Sequence, residues 1–355
     1  MNISPPSYKS KLTPLALVTG GGGFIGFNIV KDLLEDGWRV RVLDNLSRYG
    51  ADNNVKILQT KFPNSFEFIK ADIRESQEVE KAASGVDIVY HLAAQVAVTT
   101  SVSNPRADFE INATGTFNVL EAARLQKQHP IIIYTSTNKV YGGMEEIGIE
   151  ESNGRYCYSD NDSGISESRS LDFHSPYGCS KGAADQYIHD YSRIYNIPTL
   201  VFRNSCIYGP PQMGNEDQGW IAHFIISACL NKPITIYGDG KQVRDVLYIS
   251  DLVECYKKAL NEINKTSGQI FNIGGGPNNT LSLLDLISII ETRIGREIKP
   301  SFQDWRPGDQ RVYISDIQKS KNTFDWQPSV STIKGVNKLI DWVQNSLQDF
   351  QNMQI

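Results

Sequence analysis

A short apolar strand, a run of glycines and a helix follow one another near the start of this chain, and few folds accommodate that order. Leu15-Ala16-Leu17-Val18-Thr19 is an apolar run of strand length. Gly20-Gly21-Gly22-Gly23-Phe24-Ile25-Gly26 follows directly, and helical periodicity continues to about Glu35. Glycines permit a tight turn and let the backbone come close to a bound group. The start of the helix presents free N–H groups and partial positive charge, which suits a pyrophosphate. Strand, glycine turn and helix together open a dinucleotide-binding βαβ unit. Two registers fit, Gly20-x-x-Gly23-x-x-Gly26 and Gly21-x-Gly23-x-x-Gly26.

The second strand is expected from Arg39 to Leu43, ending at Asp44, eighteen residues beyond Gly26. A carboxylate there accepts hydrogen bonds from ribose hydroxyls and repels a 2′-phosphate, which favours NAD over NADP. Arg48 stands nearby and is the residue type that accommodates such a phosphate, so both cofactors stay open at this point. Further strands are expected over Phe66 to Lys70 (running into Ala71-Asp72-Ile73), Val86 to Leu92 (running into Ala93-Ala94) and Ile131 to Thr135. Helices are expected over 76–84 and 106–128. Alternating strands and helices predict an α/β fold, a Rossmann-like doubly wound parallel sheet with ligands at the carboxyl ends of its strands.

Two further features supply chemistry to that crevice. Ser175-Pro176-Tyr177-Gly178-Cys179-Ser180-Lys181 starts a helix, with proline at its first turn. Tyr177 and Lys181 are four apart and share one helix face. A neighbouring ammonium lowers a phenol's pKa, so the pair is suited to removing a proton from an alcohol. The fifth strand runs into Ser136-Thr137-Asn138-Lys139, placing the Thr137 hydroxyl where it can orient a reacting oxygen. Each feature alone has an ordinary structural reading. Together with a hydride acceptor they specify hydride transfer between NAD and a secondary alcohol, with Thr137, Tyr177 and Lys181 as the catalytic set.

Composition narrows the remaining classes. The chain has 355 residues, 40 % of them hydrophobic, enough for a sizeable core. A net charge of −5 without a basic cluster argues against a nucleic-acid partner. No apolar run approaches the ~20 residues of a membrane span. Cys157, Cys179, Cys206, Cys229 and Cys255 show no metal spacing and read as free thiols of a cytoplasmic protein; no metal is expected.

These residues resemble the extended short-chain dehydrogenase/reductase superfamily of nucleotide-sugar epimerases and dehydratases, from Thr19 to about Trp342. Later segments agree with it: Arg203-Asn204, Tyr208-Gly209-Pro210, Gly238-Asp239-Gly240, Arg244-Asp245, Asn272-Ile273-Gly274-Gly275 and Arg306-Pro307-Gly308-Asp309. The resemblance implies NAD as cofactor, contacted by Gly20, Gly23, Phe24, Ile25, Gly26, Asp44, Asn45, Ser47, Arg48, Asp72, Ile73, Leu92, Ala93, Ala94, Asn112, Tyr177 and Lys181. It implies a nucleotide-diphosphate sugar as substrate, met by Asn138, Lys139, Asn204, Arg244 and Arg306, the two arginines on the pyrophosphate. It further implies a homo-oligomer built on the Tyr177 helix and the 106–128 helix. Expected boundaries are a loose leader 1–14, a mainly NAD-binding part 15–205, a mainly substrate-binding part 206–347 interleaved with it, and a frayed tail 348–355.

The reaction type follows from what stands after Thr137. Family dehydratases and decarboxylases commonly carry an acidic residue there; this chain has Asn138 and Lys139. Redox-neutral epimerisation fits better than elimination. Longer runs, among them 171–187, Asp217-Gln218-Gly219-Trp220 and 240–247, resemble the branch of the family that inverts C2 of CDP-sugars for O-antigen assembly. A UDP-hexose 4-epimerase and a non-catalytic NAD-binding protein are the alternatives. Residues 143–174 form a long acidic insertion between Tyr141 and Tyr177. It is expected to be either a lid over the sugar or a solvated surface excursion.

Overall fold

The computed structural model describes residues 11, 13–160, 164–306 and 308–350. Most of the expected leader and the last five residues of the tail lie outside the described residues. In chain order the elements that build the site are β1 (Leu15–Thr19), α1 (Phe24–Glu35), β2 (Arg39–Asp44), α2 (Ala51–Lys61), β3 (Phe66–Lys70), α3 (Ser76–Ala83), β4 (Ile88–His91), α4 (Val98–Ser103), α5 (Pro105–Phe109), α6 (Gly115–Arg124), β5 (Ile131–Thr137), β6 (Ile149–Ser152), β7 (Arg155–Tyr158), α7 (Ser175–Ile194) and β8 (Thr199–Asn204).

Seven strands form one sheet in the order Gln269–Ile273, β8, β5, β4, β1, β2, β3, and every pair is parallel. Strand order runs outward in opposite directions from the β1–β4 pair, so the switch point of a doubly wound sheet lies there. Both faces of the sheet are covered. In β1, Ala16 and Val18 enter one core and Leu17 the other, all three fully buried. That is why the strand reads as an unbroken apolar run rather than an alternating one. Burial of a side chain such as Leu17 contributes roughly 1.5–3 kcal/mol.

The later part of the chain adds a smaller mixed sheet around Val243–Tyr248, which pairs with Cys206–Tyr208, Thr280–Ser282 and Val312–Tyr313. Between these, Gln269–Ile273 returns to pair with β8 in the large sheet, so the two parts interleave.

Several expected boundaries shift. The helix over 106–128 is three pieces: α5, a π-helical turn at Glu110–Thr114, and α6. A π turn inserts a residue into the helical repeat, which a periodicity count cannot register. The helices α2 and α4 were not anticipated. The tail is not frayed at its start: Phe350 is fully buried, with its ring 5.3 Å from that of Trp342.

The insertion departs most. It is more than a solvated excursion. The β6–β7 hairpin packs on the smaller sheet, with Tyr158 and Ile165 in one core with Val243, Val312 and Tyr313. Tyr156 N donates to the Lys241 carbonyl at 3.0 Å and the Tyr158 hydroxyl to the Val312 carbonyl at 3.2 Å. Ile165 N donates to the Ile314 carbonyl at 2.7 Å. The acidic composition concealed the two alternate tyrosines that carry this packing.

Candidate active site

A cavity of about 810 Å³ opens at the carboxyl ends of the large sheet's strands. Its floor is the glycine turn. Gly20 has φ +72°, and a Cβ there would stand 2.7 Å from Ala93 N. A Cβ at Gly26 would run into the Gly20 carbonyl. The turn therefore closes tightly on the sheet and leaves open the space in front of α1, which fits the pyrophosphate of a dinucleotide.

Sixteen of the seventeen expected cofactor residues line this cavity: Gly20, Gly23, Phe24, Ile25, Gly26, Asp44, Asn45, Ser47, Arg48, Asp72, Ile73, Leu92, Ala93, Ala94, Tyr177 and Lys181. Asp44 accepts from Gly22 N at 2.9 Å and Leu46 N at 2.8 Å; burial raises its carboxyl pKa and these donors oppose the rise. Asp72 accepts from Arg74 Nε and Asn45 Nδ2, at 2.9 and 2.8 Å, and is held down to about 2. Arg48 is exposed in the cavity, and its charge favours the Tyr177 phenolate.

Asn112 is the exception. It is 1 % exposed and does not line the cavity. Its side chain accepts from Gln95 N at 2.8 Å and donates to the Gln95 carbonyl at 3.0 Å, so it shapes the cavity wall from behind.

α7 carries the expected catalytic pair. Ser175 takes φ +70°, Pro176 occupies the first turn, and the helix turns one face inward through Tyr177, Lys181, Ala184, Asp185 and Ile188. Gly182 leaves room for the Phe173 ring. Burial pushes the Tyr177 phenol up to about 12, and the Thr137 side chain opposes that rise. Lys181 Nζ donates to the Thr135 carbonyl at 2.6 Å and lies 4.3 Å from the Tyr134 ring centroid. Burial lowers its pKa to about 7, against the charges of Asp185 and Asp108. Its ammonium is thus turned to the end of β5.

The expected substrate residues lie outside the cofactor cavity. Asn138 is buried and accepts from Thr137 Oγ1 at 3.3 Å. Asn204 donates to the Tyr256 hydroxyl at 3.2 Å, and its own buried oxygen has no partner. Arg244 donates to Asp309 at 2.6 Å, and Lys139 Nζ stands 3.9 Å from the same carboxylate. Burial and the Arg244 charge lower the Lys139 pKa. Arg306 donates to the Glu216 carbonyl at 3.0 Å and lies 3.9 Å over the Tyr237 ring. Lys139 and Arg244 therefore gather at Asp309, whereas Arg306 is held separately, at Glu216.

Sequence reading missed the support of this site. Ser136 Oγ donates to Asp185 at 2.7 Å, and Arg203 grips Asp185 through two bonds of 2.9 and 3.0 Å. Pro211, Gln212, Met213, Asn215 and Gln218 come from the later part of the chain to close the cavity. No local motif marks such long-range partners. Among the described residues, no three His, Cys, Asp or Glu side chains gather as metal ligands, and no helix is long and apolar enough to cross a membrane.

A parallel sheet with a dinucleotide cavity at its switch point, and a buried tyrosine–lysine helix beside it, defines an enzyme of the short-chain dehydrogenase/reductase kind. The chain belongs to the NAD dependent epimerase/dehydratase family, whose model matches residues 16–274. Its cofactor is NAD. CDP-paratose 2-epimerase of Salmonella typhi is 46 % identical to this chain over 336 residues, covering 93 % of this chain and 99 % of that protein. A putative UDP-glucose 4-epimerase of Methanocaldococcus jannaschii is 34 % identical, covering 94 % and 99 %. Among solved structures, UDP-glucuronic acid 4-epimerase from Bacillus cereus, in complex with UDP-glucuronic acid and NAD, is similar with a TM-score of 0.81 and 30 % identity, covering 94 % of this chain and 99 % of that one.

Proposed function

We propose that this chain is an NAD-dependent epimerase that inverts C2 of a CDP-sugar of the paratose/tyvelose type. The observation that carries the reading is the 46 % identity to a CDP-paratose 2-epimerase across nearly the whole of both chains. It is supported by Asn138 and Lys139 after Thr137, where no carboxylate is available for elimination. Bound NAD supplies the hydride acceptor and donor, and in its oxidised form a positive charge that favours the Tyr177 phenolate. Tyr177 takes the hydroxyl proton as the C2 carbinol becomes a ketone, and returns it after the keto sugar has turned over. Thr137 orients the reacting oxygen, and Lys181 fixes the nicotinamide ribose. Arg244 and Arg306 hold the diphosphate; arginine's planar fork suits phosphate oxygens. Asn204 offers a buried acceptor at the same end of the sheet.

Proton NMR of the enzyme incubated with CDP-paratose, CDP-glucose and UDP-glucose tests this directly. Inversion at C2 of a CDP-sugar is expected. Inversion at C4 of UDP-glucose would overturn it in favour of the 4-epimerase reading, which the 34 % relative supports less well.

The protein acts as a cytoplasmic homo-oligomer in this reading. Phe109, Phe117 and Leu125 on one stretch, Tyr187 and Ile194 on α7 and Tyr195 just after it are exposed apolar side chains, and Phe117 and Tyr187 meet edge to face at 6.1 Å. Two helices presenting such a face suit isologous pairing. Sedimentation equilibrium would show a dimer or larger; a monomer at micromolar concentration would reject this part.

A further inference from the structure

One buried carboxylate near the catalytic pair has no place in the chemistry above. Asp108, in α5, is 1 % exposed. Its partners are all uncharged. Ser180 Oγ donates to one carboxylate oxygen at 2.5 Å; Gln95 Nε2 and Asn112 Nδ2 donate to the other at 3.1 and 3.2 Å. Ser180 is also 3.1 Å from Asn112 Nδ2 and 3.2 Å from the Tyr177 carbonyl. Ser180 precedes Lys181 in α7, and Gln95 lines the cofactor cavity. Asp108 therefore ties the catalytic helix to the cavity wall, just ahead of the π-helical turn. Such turns recur at functional sites.

We propose that Asp108 is a positioning residue for the Tyr177–Lys181 pair: its bonds through Ser180, Asn112 and Gln95 fix α7 against the cofactor cavity, and its buried charge supports the Lys181 ammonium. This rests on reading Tyr177 and Lys181 as the catalytic pair. A buried carboxylate bonded only to neutral donors is costly unless a cation shares its surroundings. Lys181 is that cation: burial raises the Asp108 carboxyl, the Ser180 hydroxyl and then the Lys181 charge oppose that rise, and the Asp108 charge in turn raises both Lys181 and Tyr177. The elements around Asp108 bring few other charges. α4 has no titratable side chain. α7 presents Tyr177 and Lys181, with Asp185 farther along and gripped by Arg203. In the adjacent turn, Glu110 stands 3.8 Å from Arg106 and 3.9 Å from Arg74.

The test follows the Lys181 amine against pH in holoenzyme carrying 15N-lysine, its resonance assigned by loss in Lys181→Met. In Asp108→Asn the midpoint should fall by about one unit, roughly tenfold in the protonation equilibrium. kcat should fall about tenfold with KM little changed, as expected when a group acts on the reacting pair rather than on substrate binding. Ser180→Ala keeps the charge and should leave the midpoint in place while lowering kcat. An unmoved midpoint in Asp108→Asn, or an equal shift in Ser180→Ala, would overturn the proposal. If Asp108→Asn does not fold, the reciprocal measurement decides: the Asp108 carboxyl midpoint, read by 13C NMR, must rise in Lys181→Met, and a fixed value would reject the coupling. The titrations do not depend on the sugar. A shifted midpoint in an enzyme that converts no CDP-sugar would reject the proposed function and leave this inference standing.

Discussion

Lys181 gives its ammonium to the Thr135 carbonyl at 2.6 Å, although Tyr177 stands one turn away on the same helix. The lysine is thereby anchored to the end of β5, the strand that carries Thr137. Strand and helix are held together where the Thr137 hydroxyl and the Tyr177 phenol stand.

That anchoring has a measurable pH signature in the nucleotide-free protein. Burial lowers Lys181 to about 7 from 10.5. Between those values the unfolded chain binds a proton that the folded one does not, so stability rises with pH across that window. Tyr177 is raised to about 12 from 10.0, so its contribution declines as pH climbs from 10 toward 12. Thermal unfolding at pH 7 and 9 should show the first trend, and Lys181→Met should flatten it.

Gly20→Ala should abolish cofactor retention. The position has φ +72° and no room for a Cβ before Ala93. A loss of about 1–3 kcal/mol is expected from strain and overpacking. Gly37→Ala, also at positive φ but facing open space, serves as the control and should keep full NAD content in the purified protein. Absorbance of the nucleotide released on denaturation reads both.

Asp185 and Arg203 are 0 % and 3 % exposed in their side chains and pair at 2.9 Å. Asp185→Asn leaves the guanidinium uncompensated and should destabilise the protein by about 3–5 kcal/mol in urea titrations. Changing both residues to apolar ones of similar size should recover most of that loss, with Ser136 still deprived of its acceptor.

Tyr158→Ala should cost about 3–5 kcal/mol, as truncation of a buried aromatic does. Its side chain lies in the core of the smaller sheet. A mobile lid would show no such loss. Calorimetry separates the two outcomes, and the same variant should leave the Asp44 end of the cavity able to bind NAD.

Arg306→Ala should raise KM for the nucleotide sugar by more than about tenfold, with kcat within a few-fold, since a charge-assisted phosphate contact is made equally in ground and transition states. Steady-state rates with CDP-sugar decide it.

The strand–glycine–helix opening was legible because its reasons are local: β1 is buried on both faces, and the glycine turn has no space for side chains. Asp44, Tyr177 and Lys181 were legible for the same reason, each set by a fixed offset along one element. The contacts of Asp108, Asp185 and Arg203 were not, although Asp185 and Arg203 stand in segments that carry the resemblance. Their partners are brought together across the sheet, and nothing within a few residues of any of them announces the contact. The β6–β7 hairpin was misread because acidic residues dominate its composition while two alternate tyrosines decide its packing.

That hairpin lies in the chain between Thr137 and Tyr177, yet its core belongs to the smaller sheet. The covalent route between Thr137 and Tyr177 thus passes through the smaller sheet. A chimera that exchanged the later half of the molecule to alter sugar choice would strand this connection on a foreign surface. Recombination that respects the fold has to carry residues 143–174 along with whatever follows residue 206.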